Sequence, residues 1–207
     1  MKKLKILALS YDFRPKLGGV ATFASEILLA LHESQQAEIT LITAAAAVSP
    51  TNKAPQEVDA DCLPFPVTRV RVPQSAYRAI PMFARRISKE VLRDRPDLIL
   101  CFLWMPDGVA AYLNQIGSRF GSGKIPYFVV AHGVEILESG FNLRKKIRRS
   151  FSLIKKAVLR NAEQVFAVSR FTAEKLKSEC DMNPSQIAIL HGGGECSGFF
   201  SGEKDGD

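Results

Sequence analysis

Glycine stands beside residues that handle charge or protons at three places in this chain. Gly18-Gly19 closes the stretch Ser10-Tyr11-Asp12-Phe13-Arg14-Pro15-Lys16-Leu17, His132-Gly133 follows an apolar run, and His191-Gly192-Gly193-Gly194-Glu195 follows another. A glycine pair leaves backbone N–H groups open to a ligand, and at the mouth of a helix those groups and the helix dipole favour an anion. The same pair also suits a plain tight turn. A neutral imidazole at His132 can hydrogen-bond a hydroxyl or a developing charge, and it can equally be structural. Two further polar stretches close apolar runs. In Trp104-Met105-Pro106-Asp107-Gly108, Asp107 fits the N-cap of a helix through Leu113 and Ile116, and in Ser169-Arg170, Ser169 fits the N-cap of another.

Standard catalytic signatures are missing. The first loop is not GxGxxG, so it lacks the dinucleotide fingerprint. Gly121-Ser122-Gly123-Lys124 resembles a Walker A fragment, but its leading glycine is absent and it precedes a strand pattern instead of joining strand to helix. There is no GxSxG elbow and no HExxH. Cys62, Cys101, Cys180 and Cys196 are widely spaced with no CxxC pair and no neighbouring histidine, which predicts reduced structural thiols, no metal site and no bound cofactor.

The polar loops need elements that bring them together. Leu4 to Leu9 reads as a strand, and Val20, Ala24, Ile27, Leu28 and Leu31 recur at helical spacing after it. Ala37 to Thr43 is a β-branched strand, and 44–66, with four prolines, is a long surface excursion. Val67 to Val72 alternates Arg69 and Arg71 with Val70 and Val72, as a half-exposed or edge strand would. A helix from Ala76 to Arg95 stops at Pro96, and 97–103 is apolar enough for a central parallel strand. Ile125 to Ala131, Gln164 to Val168 and Ile187 to Leu190 read as further strands, with a helix from Arg170 to Cys180. Leu143 to Asn161 carries Arg144, Lys145, Lys146, Arg148, Arg149, Lys155, Lys156 and Arg160 without an acidic residue, and its expected apolar stripe is Ile147, Phe151, Ile154 and Val158. The alternation predicts an α/β fold, a parallel sheet with helices on both faces. Such a sheet gathers the polar loops along the carboxyl edge of its strands.

At 207 residues the chain fits one domain, and its 46% hydrophobic and 24% charged content are those of a folded globular protein. No run approaches the roughly 18 apolar residues that span a bilayer, and Met1-Lys2-Lys3 leads into a strand without a cleavage site, which predicts a cytoplasmic protein. The net charge of +7 favours anionic partners. Nucleic acid is the weakest of these, because no nucleic-acid-binding signature accompanies the charge. Residues 196–207 have the composition of a linker or tail.

Taken in order, Tyr11-Asp12-Phe13-Arg14-Pro15 leading to Gly18-Gly19-Val20, the Asp97 strand followed by Trp104 and Pro106, His132-Gly133, and Val168-Ser169-Arg170-Phe171-Thr172 resemble the N-terminal half of a family 4 glycosyltransferase. The resemblance covers about residues 3 to 195 and implies a Rossmann-like domain over 1–195, one half of a two-domain GT-B fold. It implies retention of anomeric configuration, no catalytic metal and a nucleotide-sugar donor. Gly18 and Gly19 would face the donor diphosphate and His132 the reaction centre. Arg14, Trp104, Asp107, Ser169 and Arg170 would line the cleft or acceptor site. His191 to Glu195 departs from the Asn-Gly-Val-Asp usual there. The acceptor would be a glycan or lipid-linked glycan. The basic helix would then set Arg148, Arg149, Lys155 and Lys156 against an anionic membrane surface, at the inner face of the membrane, or would simply be a packed helix with a solvated face. The family's C-terminal donor-binding domain has no counterpart in these residues, so the expectation is little transfer by the chain without such a domain, in the same parent chain or in trans. The remaining alternative is a non-catalytic binding module of this fold for a phosphorylated or glycosylated ligand.

Overall fold

The computed structural model describes residues 2–45, 63–72, 75–117, 124–133 and 145–191, with backbone alone at 145–150. Seven strands form one parallel sheet: β1 (Leu4–Ser10), β2 (Ala37–Ala44), β3 (Val67–Val70), β4 (Leu98–Cys101), β5 (Tyr127–Ala131), β6 (Gln164–Ala167) and β7 (Ile187–Ile189). Their order is β3-β2-β1-β4-β5-β6-β7, which puts β3 at one edge, as the alternation of arginine and valine predicts. The helices among the described residues are α1 (Gly19–Glu33), α2 (Ala76–Asp94), α3 (Val109–Gly117), α4 (Lys145–Asn161) and α5 (Arg170–Cys180).

Strand periodicity divides the core in two. In β1, Leu7 and Leu9 point to the face shared with Phe83 and Ile87 of α2, Val109 and Ala110 of α3, Val158 and Leu159 of α4, and Ala173 and Leu176 of α5. Ile6 and Ala8 point to the other, with Ala24 and Leu28 of α1. Both faces of the central strands are therefore covered, and their sequences read as unbroken apolar runs. The two directions of winding part between β1, whose chain returns to β2, and β4, whose chain goes on to β5. Pairings Leu9↔Cys101 and Cys101↔Val129 align the carboxyl ends on both sides of that switch point, where a crevice opens in such sheets.

Of the excursion between β2 and β3, residue 45 and residues 63–66 are described, and Phe65 is already buried on the α1 face and packs against His32. The Ala76 to Arg95 helix ends as expected: Arg95 takes a left-handed φ of 46° and Pro96 follows.

Helix α4 corrects the expected stripe. Phe151 packs on Trp104, and Val158, Leu159 and Ala162 are buried, but the position between them belongs to Lys155, which is 8% exposed, while Ile154 faces solvent. The buried face is thus turned from the apolar one toward Lys155, an arrangement a lysine tolerates because its long stem is apolar. Lys155 and Lys156 both act electrostatically on Cys180 at the end of α5, and Lys156 and Arg160 pair with Asp181 at 3.9 and 2.7 Å. Lys155 therefore cannot be a membrane-facing residue, and Lys156, which is half-buried, pairs with exposed Asp181 at the surface. The side chains of Arg148 and Arg149 lie outside the described residues, as do residues 192–207, which include Gly192 to Glu195 and the expected tail.

Candidate functional site

The site begins where β1 ends. Ser10 is buried and its hydroxyl donates to the Asp12 carbonyl at 2.7 Å, folding the chain sharply out of the sheet. The loop then runs past Arg14, whose carbonyl accepts from the Arg69 guanidinium at 2.9 Å while its side chain is exposed. Lys16 pairs with Asp12 and lies 5.7 Å above the Tyr11 ring. At the mouth of α1, Gly18 supplies no side-chain cap and no acidic residue occupies the first turn. A Cβ added at Gly18 or Gly19 would meet nothing within 4 Å. Neither backbone close-packing nor a left-handed φ requires glycine there, so the open approach to the helix N-terminus is the feature the pair provides.

His132 closes β5 and faces α1. Its ring meets Phe23 edge-on, with centroids 5.3 Å apart at 87°. Burial pushes its pKa below the usual imidazole value, and a hydrogen bond with the Phe102 backbone acts in the opposite direction. The imidazole is thus neutral at pH 7, fit to exchange hydrogen bonds instead of supplying charge. Gly133 packs closely on α5: a Cβ there would come within 3.2 Å of the Thr172 hydroxyl, so that side chain would have to shift by a few tenths of an ångström. Ser169 is the N-cap of α5, as expected, accepting from the Thr172 N–H at 3.1 Å and sharing a second hydrogen bond with its hydroxyl at 3.0 Å. Arg170 is exposed beside it. Phe23, half-buried on α1 one turn beyond Gly19, was missed in the sequence, although an aromatic four residues after a helix-mouth glycine shares its face.

Two expected cleft residues are buried instead. Trp104 is 3% exposed and packs edge-on against Phe151 at 5.0 Å, as a wedge between the sheet and α4. Asp107 is wholly buried, and its carboxyl accepts the Tyr11 backbone N–H, at 3.1 and 3.3 Å from its two oxygens, where capping of α3 was expected. The physical reason is the turn Trp104–Gly108, which tucks these side chains beneath the edge. Burial raises the Asp107 carboxyl from 3.8 to about 8, backbone hydrogen bonds from Tyr11 and Leu103 lower it, and the charge of Asp12 raises it.

Cys101 and Cys180 are free and buried. Among the described residues no three His, Cys, Asp or Glu side chains gather as metal ligands, and no helix is long and apolar enough to cross a membrane. A groove of about 400 Å³ between α2 and α3, lined by Arg85, Ser88, Leu92 and Leu113, lies toward the opposite edge of the sheet.

Solved structures similar to this chain carry the same architecture. A catalytic domain of starch synthase IV from Arabidopsis thaliana bound to ADP and acarbose matches 95% of the chain and 53% of its own, at 13% identity and a TM-score of 0.62. Sucrose-phosphate synthase from Thermosynechococcus elongatus matches 94% and 49%, at 13% identity and a TM-score of 0.63. Anabaena Alr3699/HepE in complex with UDP and glucose matches 94% and 46%, at 16% identity and a TM-score of 0.61. The likeness is one of fold, and the chain spans about half the length of these proteins. No curated protein sequence matches it. The model of Glycosyltransferase Family 4 matches residues 17–196, from the loop before α1 to beyond β7. With a seven-stranded parallel sheet of this order behind that match, the chain belongs to glycosyltransferase family 4 and has the form of the N-terminal half of a GT-B fold.

Proposed function

We propose that the chain is the acceptor-side half of a retaining glycosyltransferase that moves a sugar from a nucleotide-sugar donor to a glycan or lipid-linked acceptor. The observation that carries this is the junction of α1 with β5, where an uncapped, unobstructed helix mouth at Gly18-Gly19 stands one turn from Phe23, the ring against which neutral His132 packs. An anion acceptor and a hydrogen-bonding imidazole on one edge suit a diphosphate and the sugar attached to it. The complex of Anabaena HepE with UDP and glucose, a protein of the same fold, supports that donor class. Arg14, Ser169 and Arg170 complete the rim, with Ser169 acting chiefly as the cap that sets the α5 end beside Gly133.

The edge is one wall. Leu17 is 95% exposed and Phe171 57% exposed along it, apolar side chains suited to cover by a second domain. That domain, in the same parent chain or supplied in trans, would hold the nucleotide and stabilise the leaving diphosphate, and without it turnover is expected to be slight. Residues 1–195 form the domain in this reading and 196–207 the linker or tail. We place the protein in the cytoplasm, at the inner face of the membrane where the acceptor is lipid-linked. Contact with an anionic bilayer falls to Arg148 and Arg149 with exposed Leu153 and Ile154.

The test is a nucleotide-sugar panel assayed with the chain, with a family donor-binding domain and with both. Transfer in the mixture alone, lost on His132→Ala, is the expected result. Binding of a glycan or phosphorylated ligand with no transfer in any combination would instead establish a non-catalytic module.

A further inference from the structure

The loop that carries Gly18 and Gly19 is fastened at its start by a side chain from a different loop. Tyr11, the first residue after β1, gives its backbone N–H to the carboxyl of Asp107 across 96 residues of sequence. Asp107 stands on a fixed turn. Gly108 beside it is tightly packed, since a Cβ would lie 3.1 Å from Val158 of α4, and its N–H donates to the Leu103 carbonyl at 3.0 Å. The other end of the contact is less confined, since Asp12, Arg14, Lys16 and Leu17 are all partly or fully exposed. The phenol ring of Tyr11 stands edge-on to Phe83 of α2 at 6.2 Å, so the residue is held from both its backbone and its ring. The same carboxyl also takes a backbone hydrogen bond from Leu103, so it ties the start of the β1–α1 loop to the turn that carries it.

We propose that Asp107 is a positioning residue: through the Tyr11 N–H it sets the course of the β1–α1 loop and so the place at which Gly18 and Gly19 meet a diphosphate. This rests on the donor role assigned above. Among the described residues, the titratable and charged groups acting on or facing the carboxyl are Asp12 and Tyr11 from the loop and Cys101 from β4, with Lys16 joined to Asp12 and Tyr11. With the carboxyl near 8, its charge changes within the range of ordinary buffers, and the ionised form is the stronger acceptor for the Tyr11 N–H.

The experiment follows the backbone amides of the 15N-labelled 207-residue chain by NMR from pH 6 to 9.5, with and without saturating UDP. The Tyr11 amide is expected to titrate with a midpoint near 8, the Gly18 and Gly19 amides to follow the same midpoint, and Asp107→Asn to abolish both while the rest of the spectrum is kept. Asp107→Ala is expected to weaken UDP binding several-fold and Asp107→Asn, which retains an acceptor, to restore most of it. If Asp107→Ala does not fold, the comparison of wild type with Asp107→Asn decides. Glycine amides that respond to UDP but ignore the Asp107 titration overturn the positioning role and leave the donor role standing. Glycine amides that follow the titration in a chain UDP does not perturb, even with a donor-binding GT-B domain added, support the positioning and remove the donor role.

Discussion

Gly19 stands at the mouth of α1, where an added Cβ would meet nothing within 4 Å. Because a Cβ there has open space, Gly19→Val should leave folding stability within about 1 kcal/mol of wild type while lowering donor use in a two-domain enzyme by an order of magnitude or more. Thermal melts and donor-hydrolysis rates on the same preparation check both halves, and an unimpaired enzyme would return Gly18-Gly19 to a plain turn. Asp107 gives a second residue-scale prediction, for stability. Its folded pKa of about 8 lies above its ordinary value of 3.8, so between those values the folded chain holds a proton that the unfolded chain releases. Stability from this group is therefore fully present below about pH 4, falls by up to about 1.4 kcal/mol per pH unit, and levels off above 8. Urea unfolding at pH 5 to 9 should show that slope in wild type and a flatter one in Asp107→Asn, and identical slopes would contradict the buried assignment. At this scale, residue type was informative where chemistry is local: Ser169 before a helix signals a cap by itself. The partner of Asp107 was not legible, because an N–H 96 residues away is chosen by strand order, which no local pattern encodes.

Helices show the same division between local and tertiary information. The Ser169 cap should be worth about 1 kcal/mol, so Ser169→Ala is expected to lower stability by that amount in denaturant melts and to loosen Gly133 against Thr172. Helix α4 was legible in existence and in charge but not in rotation. Its sequence stripe favours Ile154, yet the face that fits over Trp104 and α5 takes Lys155 inward, and hydrophobic spacing alone does not weigh a lysine stem against an isoleucine. Lys155→Glu is accordingly expected to destabilise the fold, read as a lowered Tm, before it affects any surface. Leu153→Glu with Ile154→Glu should leave the fold intact and weaken co-sedimentation with anionic vesicles. Unchanged sedimentation, or sedimentation indifferent to anionic lipid content, would make α4 an ordinary packed helix with a solvated face.

Across the whole molecule, alternation of strand and helix patterns was enough to predict a parallel sheet with cover on both faces, since each element had to bury its apolar side. The order of the strands was not open to the same reasoning, and it is the order that places the β1–β4 switch point and brings α1 to His132. The resulting edge presents an uncapped helix mouth with open space at Gly18 and Gly19, a neutral imidazole and exposed apolar side chains. Whether this edge is a half-cleft that completes a glycosyltransferase is read from one rate: release of nucleotide diphosphate from a nucleotide sugar, with acceptor present, by the chain combined with a donor-binding GT-B domain. Turnover in the combination is expected well above the sum of the separate halves, and to be lost on Gly19→Val and His132→Ala. Turnover by the chain alone at the same rate, or none in any combination across the donor panel, would contradict the half-cleft.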